Sequence, residues 1–216
     1  MTILEQIYKD RYIAILRGVP QDKLVRVCQA LYDGGIRMIE VTFNQSSSTG
    51  IEDTCMAIRA ISDHFGDKVR VGAGTVMTEE QATKACEAGA EYLISPHFSE
   101  KLVKKTIALG AVSLPGALTP SEIVAAYEAG ATAVKIFPIH NAGGPAYLKN
   151  ILAPISHIPM LAVGGVDKDT AAGYLAAGAI GLGVGGGLIT KELIDAEAYE
   201  QLTEDTKELI ECGEKR

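Results

Sequence analysis

Ser121-Glu-Ile-Val-Ala-Ala-Tyr-Glu-Ala-Gly-Ala-Thr-Ala-Val-Lys-Ile-Phe-Pro138 holds one whole repeating unit of this chain. Residues 121–129 read as a helix. Glu128-Ala-Gly-Ala131 closes it, because glycine adopts the left-handed conformation that caps a helix and lets the chain turn into a sheet. Residues 133–137 then read as a buried strand, being short, apolar and rich in β-branched side chains. The same join recurs as Glu87-Ala-Gly-Ala90 and Ala177-Gly-Ala179, again just before a strand. The joins are about 41 and 48 residues apart, roughly two helix–strand units each.

Working outward from that unit, apolar runs predict strands at 12–16, 38–42, 69–73, 92–95, 112–114, 133–137, 160–163 and 181–184. Helical patterns fall between them at 21–33, 51–65, 79–88, 100–109, 121–129, 146–153 and 168–177, with a last helix from 191 towards 210. Residues 2–10 predict one further helix ahead of the first strand. Eight βα units in strict alternation are the arithmetic of a closed parallel (β/α)8 TIM barrel, here an α/β fold with an extra N-terminal helix. The competing architecture is an open doubly wound sheet. No linker or composition shift divides residues 1–216, so a single domain is expected.

Bulk composition narrows the function. A net charge of -7 and the lack of a basic run argue against a nucleic-acid surface, so an anionic ligand needs local donors. The amino terminus lacks the basic and apolar regions of a signal peptide, and no apolar run approaches membrane-spanning length. Cys28, Cys55, Cys86 and Cys212 are scattered, without CxxC spacing. A cytoplasmic protein with no membrane partner is the expectation.

Lys135 interrupts its apolar strand with a cation. Lysine is seldom buried unpaired, and burial lowers its pKa until the neutral amine can attack a carbonyl. The plainer reading is a strand-end lysine whose head reaches water or a carboxylate. Strand alternation sorts the remaining polar residues. Lys135 shares a face with Ala133 and Phe137, Glu40 with Met38 and Thr42, and Arg17 with Ile13 and Ile15. Continuing the third strand groups Thr75 with Val71 and Ala73. In each case the polar residue lies towards the carboxyl half, where such barrels hold their sites, so Arg17, Glu40, Thr75 and Lys135 are expected at one mouth. A structural ion pair is the plainer account of Arg17 and Glu40.

Glycine runs follow the last two strands, as Gly164-Gly165 and Gly185-Gly186-Gly187, and Gly143-Gly144-Pro145 precedes another helix. Each pair is expected to open a helix and offer amides to a phosphate; tight turns are the plainer account. Residues 181–186 formally match G-x-G-x-x-G, but no further strand with a terminal acid follows, so a dinucleotide site is rejected. His97 and His140 follow strands and could join Glu40 as metal ligands, although no metal-binding spacing supports them. His64 and His157 carry no assigned role.

Seven blocks fall in order along nearly the whole chain: Ile15-Leu-Arg-Gly-Val-Pro20, Ile39-Glu-Val-Thr42, Gly72-Ala-Gly-Thr-Val76, Ile94-Ser-Pro96, Pro115-Gly116, Val134-Lys-Ile-Phe-Pro138 and Val163-Gly-Gly-Val166. Together they resemble the 2-keto-3-deoxy-6-phosphogluconate aldolase and 4-hydroxy-2-oxoglutarate aldolase family. The resemblance implies a class I aldolase without cofactor or metal, usually a homotrimer, that releases pyruvate from a 2-keto-4-hydroxy acid in Entner–Doudoroff-type carbohydrate metabolism. It implies Lys135 as the imine lysine and Glu40 as the proton shuttle. It puts Thr75 and its neighbouring amides at the pyruvate carboxylate, and Pro96 and Phe137 in the pocket wall. Gly164, Gly165, Gly185 and Gly186 fall at the phosphate end.

The chain departs from the family pattern at three places. Phe43-Asn44 stands where Leu-Arg is frequent, Val163 where gluconate-type members often carry threonine, and Gly186 where some carry serine. Asn44 and Val163 look more like the branch acting on the 6-phosphogalactonate epimer, whereas the Arg17 and Glu40 blocks look more like the gluconate branch. The expected reaction is cleavage of 2-keto-3-deoxy-6-phosphogluconate to pyruvate and glyceraldehyde 3-phosphate, and of 4-hydroxy-2-oxoglutarate to pyruvate and glyoxylate. The alternatives are the phosphogalactonate aldolase, a metal-dependent lyase and a non-catalytic phosphosugar-binding barrel.

Overall fold

The structure, a computed structural model, describes residues 1–214; Lys215 and Arg216, at the end of the expected domain, lie outside the described residues. The strands are β1 (Tyr12–Leu16), β2 (Met38–Thr42), β3 (Arg70–Gly74), β4 (Tyr92–Ile94), β5 (Val112–Leu114), β6 (Gly116–Ala117), β7 (Val134–Ile136), β8 (Met160–Val163) and β9 (Gly181–Val184). The helices are α1 (Ile3–Asp10), α2 (Gln21–Asp33), α3 (Gly50–Phe65), α4 (Glu79–Glu87), α5 (Glu100–Ala108), α6 (Pro120–Glu128), α7 (Gly144–Ile155), α8 (Ala171–Ala176), α9 (Lys191–Asp195) and α10 (Tyr199–Glu214).

All strand pairings are parallel, in the order β5-β4-β3-β2-β1-β9-β8-β7-β6. The two ends of that order are successive halves of one strand, parted only by Pro115. Leu114 pairs with Ile94 on one side and Gly116 with Lys135 on the other. The Lys135 amide donates to the Pro115 carbonyl at 2.9 Å. Proline accepts that bond although it lacks an N–H, so the break sits where only an acceptor is required. The barrel is thus closed, as expected, with eight staves.

Left-handed glycines end the helices as predicted: Gly89, Gly130 and Gly178 have φ of 106°, 104° and 107°. After α6, the Gly130 amide bonds to the Tyr127 carbonyl and the Ala131 amide to that of Ala126, satisfying carbonyls the helix end leaves open.

Two apolar shells result. Ile39, Val41, Val134, Ile136, Leu182 and Val184 face the helices, while Ile13, Met38, Tyr92, Ile94, Leu114 and Leu161 fill the barrel. Helix α1 covers the amino end of the barrel, its Ile3 and Ile7 joining the interior cluster. Each such isoleucine contributes about 1.5–3 kcal/mol on full burial.

Three expectations need correction. Val71 and Ala73 pack under the helices, not inside; β3 turns Gly72 and Gly74 inward. A Cβ on Gly72 would collide with the Tyr92 ring and one on Gly74 with the Glu40 carboxyl, so both inward positions are empty by necessity. The helix expected from residue 168 starts at Ala171 because Asp167 Oδ1 takes the amides of Asp169 and Thr170 into a tight turn. The last helix is two helices, broken at Glu197, whose φ is 50°. Lys23 Nζ, reaching from α2, takes the Ile194 and Asp195 carbonyls at 2.9 and 3.4 Å and so ends α9.

Candidate active site

Lys135 is the middle residue of β7 and only 6% exposed. Its neighbours Val134 and Ile136 anchor the strand under the helices, leaving the lysine to enter the barrel. Nζ stands 4.7 Å from the centre of the Phe137 ring, close enough for a cation–π contact when protonated. Glu40, at the centre of β2, is 2% exposed, and its carboxyl fills the space that Gly74 leaves.

Burial pushes the Glu40 carboxyl above the usual glutamate range, opposed by the positive charges of Lys135 and then Arg17. Burial also holds the Lys135 amine below the usual lysine range; Glu40 opposes that shift and Arg17 adds to it. Desolvation thus brings both groups towards neutrality, with a free amine and a carboxylic acid as their uncharged forms. The arrangement suits a nucleophile beside a group that gives and takes protons.

Arg17 is exposed at the carboxyl end of β1, with Nη2 3.4 Å from Thr75 Oγ1. Thr75 follows β3 in a left-handed conformation, φ 54°, rare for a β-branched residue. That turn breaks strand alternation and brings Thr75 to the mouth although the grouping with Val71 and Ala73 fails. Among the amides around it, Val76 is committed to the Ile94 carbonyl at 3.1 Å and Met77 to Gln81 Oε1 at 2.8 Å. Thr42, on the Glu40 face, spends its hydroxyl on the Leu16 carbonyl. Asn44 bends back on its own loop, its Oδ1 accepting from the Ser46 amide at 3.0 Å. It lines a cleft of about 340 Å³ between the β1–α2 loop and α3, which neither Lys135 nor Glu40 lines.

After the adjacent strand β4, Pro96 is half-buried, and its carbonyl comes so near β6 that a Cβ on Gly116 would stand 2.5 Å from it. Val163, 5% exposed, packs its methyls over Gly183 in the barrel cluster. Gly164 and Gly165 have φ of 98° and 75°. A side chain at Gly164 would press on Phe137 and one at Gly165 on His140, so both positions require glycine. Space is open around Gly186. The expectation that these glycine pairs open helices is corrected: the Asp167–Thr170 turn intervenes before α8, and residues 185–189 form a turn closed by bonds to the Gly185 carbonyl before α9. Loop amides, not a helix end, are what this rim presents. His97, His140 and Glu40 do not come together as a ligand set; among the described residues no three His, Cys, Asp or Glu side chains cluster for a metal.

The family model described as KDPG and KHG aldolase matches residues 3–204. The chain belongs to the KDPG and KHG aldolase family. It is 36% identical over 177 residues to the 2-dehydro-3-deoxy-6-phosphogalactonate aldolase of Escherichia coli (strain K12), covering 82% of this chain and 83% of that protein. It is 32% identical over 203 residues to the 2-dehydro-3-deoxy-phosphogluconate aldolase of Treponema pallidum (strain Nichols), covering 94% and 93%. Among solved structures it resembles the KDPG aldolase of Legionella pneumophila, caught with pyruvate as a covalent carbinolamine intermediate. That match has a TM-score of 0.85 and 25% identity over 96% of this chain and 98% of the other. The protein is an aldolase, a carbon–carbon lyase, on a TIM-like barrel.

Three features of this aldolase's mouth escaped the sequence reading. Tyr92 fills the barrel beneath Glu40 and donates its hydroxyl to the Ile39 carbonyl at 2.8 Å. Gly72 and Gly74 make room for both; the alternation Gly72-Ala-Gly74 inside a strand was the available signal. Gln45 and Gln81 tie the loop after β2 to the loop after β3, and no spacing announces them. Among the described residues no helix is long and apolar enough to cross a membrane.

Proposed function

We propose that this aldolase works through an imine on Lys135. The observation that carries the reading is the burial of Lys135 and Glu40, 6% and 2% exposed, in the middle of barrel strands, where burial moves both towards their neutral forms. Lys135 Nζ attacks carbonyl C2 of a 2-keto-4-hydroxy acid, and the carbinolamine hydroxyl takes a proton from solvent and leaves as water to give the protonated imine. Glu40, as carboxylate, takes the proton of the C4 hydroxyl. The C3–C4 electron pair moves into the imine as the C4 aldehyde forms and departs. Glu40 returns that proton to C3 of the resulting enamine, and water then releases pyruvate, the free amine and a proton. Arg17 and Thr75 hold the substrate carboxylate, Phe137 and Pro96 wall the pocket, and Gly164, Gly165, Gly185 and Gly186 receive a phosphate through backbone amides.

The substrate is a six-carbon 2-keto-3-deoxy-6-phospho acid, giving pyruvate and glyceraldehyde 3-phosphate, with 4-hydroxy-2-oxoglutarate a shorter substrate. Both the gluconate and the galactonate epimer yield those products. Val163 offers methyls where a hydroxyl would discriminate at C4, and Asn44 is engaged in its own turn, so two positions that resemble the galactonate branch leave the C4 choice weakly enforced. Similarity both to the E. coli phosphogalactonate enzyme and to the Treponema phosphogluconate enzyme supports that breadth. Both epimers are cleaved with about a tenfold preference or less, the value of one hydrogen bond. Comparing kcat/KM for the two epimers tests this, and Val163→Thr should move the ratio towards the gluconate epimer. A wild-type preference above about a hundredfold, beyond any single contact of this kind, would reassign the stereochemistry to other residues. The homotrimeric assembly and cytoplasmic setting implied by the resemblance belong to the same proposal, and sedimentation would check the former.

A further inference from the structure

Thr75 adopts a backbone conformation that its branched side chain disfavours, so its surroundings must hold it there. The holding contact is a side chain. Gln45 Nε2 donates to the Thr75 carbonyl at 2.7 Å. Gln45 Oε1 accepts in turn from Nε2 of Gln81, 7% exposed, at 2.9 Å. Gln81 Oε1 accepts from the Met77 amide at 2.8 Å, and its backbone amide is capped by Thr78 Oγ1 at 3.1 Å.

The direction of this chain is forced. The Met77 N–H can only donate, so it fixes the oxygen of Gln81 towards itself and the nitrogen towards Gln45. That in turn fixes the oxygen of Gln45 towards Gln81 and its nitrogen towards the Thr75 carbonyl. Each amide is oriented by the one before, starting from a backbone donor that cannot reverse. Beyond Thr75 the chain meets Arg17, 3.4 Å from the threonine hydroxyl. Asn44, next to Gln45, is occupied with the Ser46 amide. From the loop after β2, Gln45 is therefore the side chain that grips the Thr75 turn.

We propose that Gln45 is a positioning residue for carboxylate recognition, with Gln81 setting the orientation of its amide. The inference rests on the reading that Arg17 and Thr75 bind the substrate carboxylate. By holding the Thr75 peptide in its left-handed turn, Gln45 keeps the threonine hydroxyl beside Arg17, so two separate loops present one anion site. The loop after β2 contributes by fixing a neighbour's backbone rather than by supplying a charge of its own.

Gln81→Glu is the sharpest probe because it is nearly isosteric. Its carboxylate still accepts from the Met77 amide but cannot donate to Gln45. The Gln45 amide then turns its nitrogen to Glu and its oxygen onto the Thr75 carbonyl, releasing the turn. Gln45→Leu, at an exposed position where no cavity forms, removes the grip directly. The readouts are the pyruvate concentration that half-saturates borohydride inactivation, the split between KM and kcat, and the melting temperature. Both variants should raise half-saturating pyruvate and KM by about three- to tenfold, the range one hydrogen bond represents, with kcat little changed. The Gln45→Leu/Gln81→Glu double variant should be no weaker than Gln45→Leu alone, because the second change has nothing left to act on. Folded single variants whose half-saturation moves less than about twofold, or losses that multiply in the double variant, would overturn the proposal. Wild type that pyruvate and borohydride fail to inactivate, or Arg17→Leu with unaltered half-saturation, would instead remove the underlying reading of the site.

Discussion

Gly74→Ala puts one methyl group against the Glu40 carboxylate and leaves Lys135 alone. The Gly74 backbone lies outside the left-handed region, so alanine is conformationally permitted. Its Cβ would meet the Glu40 carboxyl and stand 2.6 Å from Cγ, whereas ordinary contact begins at 3.4 Å. Cγ must therefore shift by about 0.8 Å and the carboxyl, which lies nearer still, by more, with little room because the glutamate is 2% exposed. Misplacing a catalytic group by about 1 Å costs on the order of a hundredfold in rate. Overpacking a filled interior costs about 1–3 kcal/mol. Loss of glycine's freedom in the unfolded chain returns about 0.4–1 kcal/mol. The net loss, at most about 2.6 kcal/mol, lowers the melting temperature by no more than about 10 °C for a chain of this size. The assay is cleavage of the phosphorylated keto acid, read as pyruvate release, beside borohydride trapping of pyruvate and a thermal melt. The variant should fold, trap pyruvate and turn over about a hundredfold more slowly. Wild-type kcat in a folded Gly74→Ala protein would refute the placement of Glu40 at the reacting atoms.

Glu40→Gln should also keep the fold and the trapping reaction while turnover falls by about two to four orders of magnitude; near-normal turnover would reduce Glu40 to a structural role. The pH dependence of trapping should show a rising limb whose midpoint lies below 10.5, because burial holds the Lys135 amine down. Glu40 opposes that shift, so Glu40→Gln should move the limb to lower pH; Arg17 reinforces it, so Arg17→Leu should move the limb up. Shifts in the opposite directions would contradict the electrostatic account. Stability follows the same sign: between the folded pKa and 10.5 the unfolded chain binds the extra proton, so burial of Lys135 becomes less costly as pH rises through that window. Lys135→Met should flatten this dependence in denaturant titrations across alkaline pH.

Lys135 and Glu40 were legible because a charge in an apolar run has few explanations, and strand alternation then pointed both inward. The barrel was legible because each join carries its glycine in the conformation the turn requires. Alternation failed in β3 for a physical reason: its inward positions are glycines, so the visible apolar residues, Val71 and Ala73, were assigned to the wrong face. The break at Glu197 depends on Lys23 reaching across from α2, a contact between residues more than 170 positions apart. Local pattern cannot contain that information. The late start of α8 reflects competition between the Asp167 side chain and the helix for the same amides. Gln45 and Gln81 were invisible because a glutamine in a loop or a first helical turn is ordinary, and only the fold brings them together.

In the proposed mechanism Lys135 is the amine that condenses with the substrate carbonyl. Borohydride added in the presence of pyruvate should inactivate the enzyme and leave one reduced pyruvyl adduct per chain, which peptide mapping finds on Lys135. Lys135→Arg should remain folded, inactive and unlabelled, since a guanidinium stays protonated and cannot attack. Labelling on a different lysine, or full activity retained after reduction with pyruvate, would contradict the account.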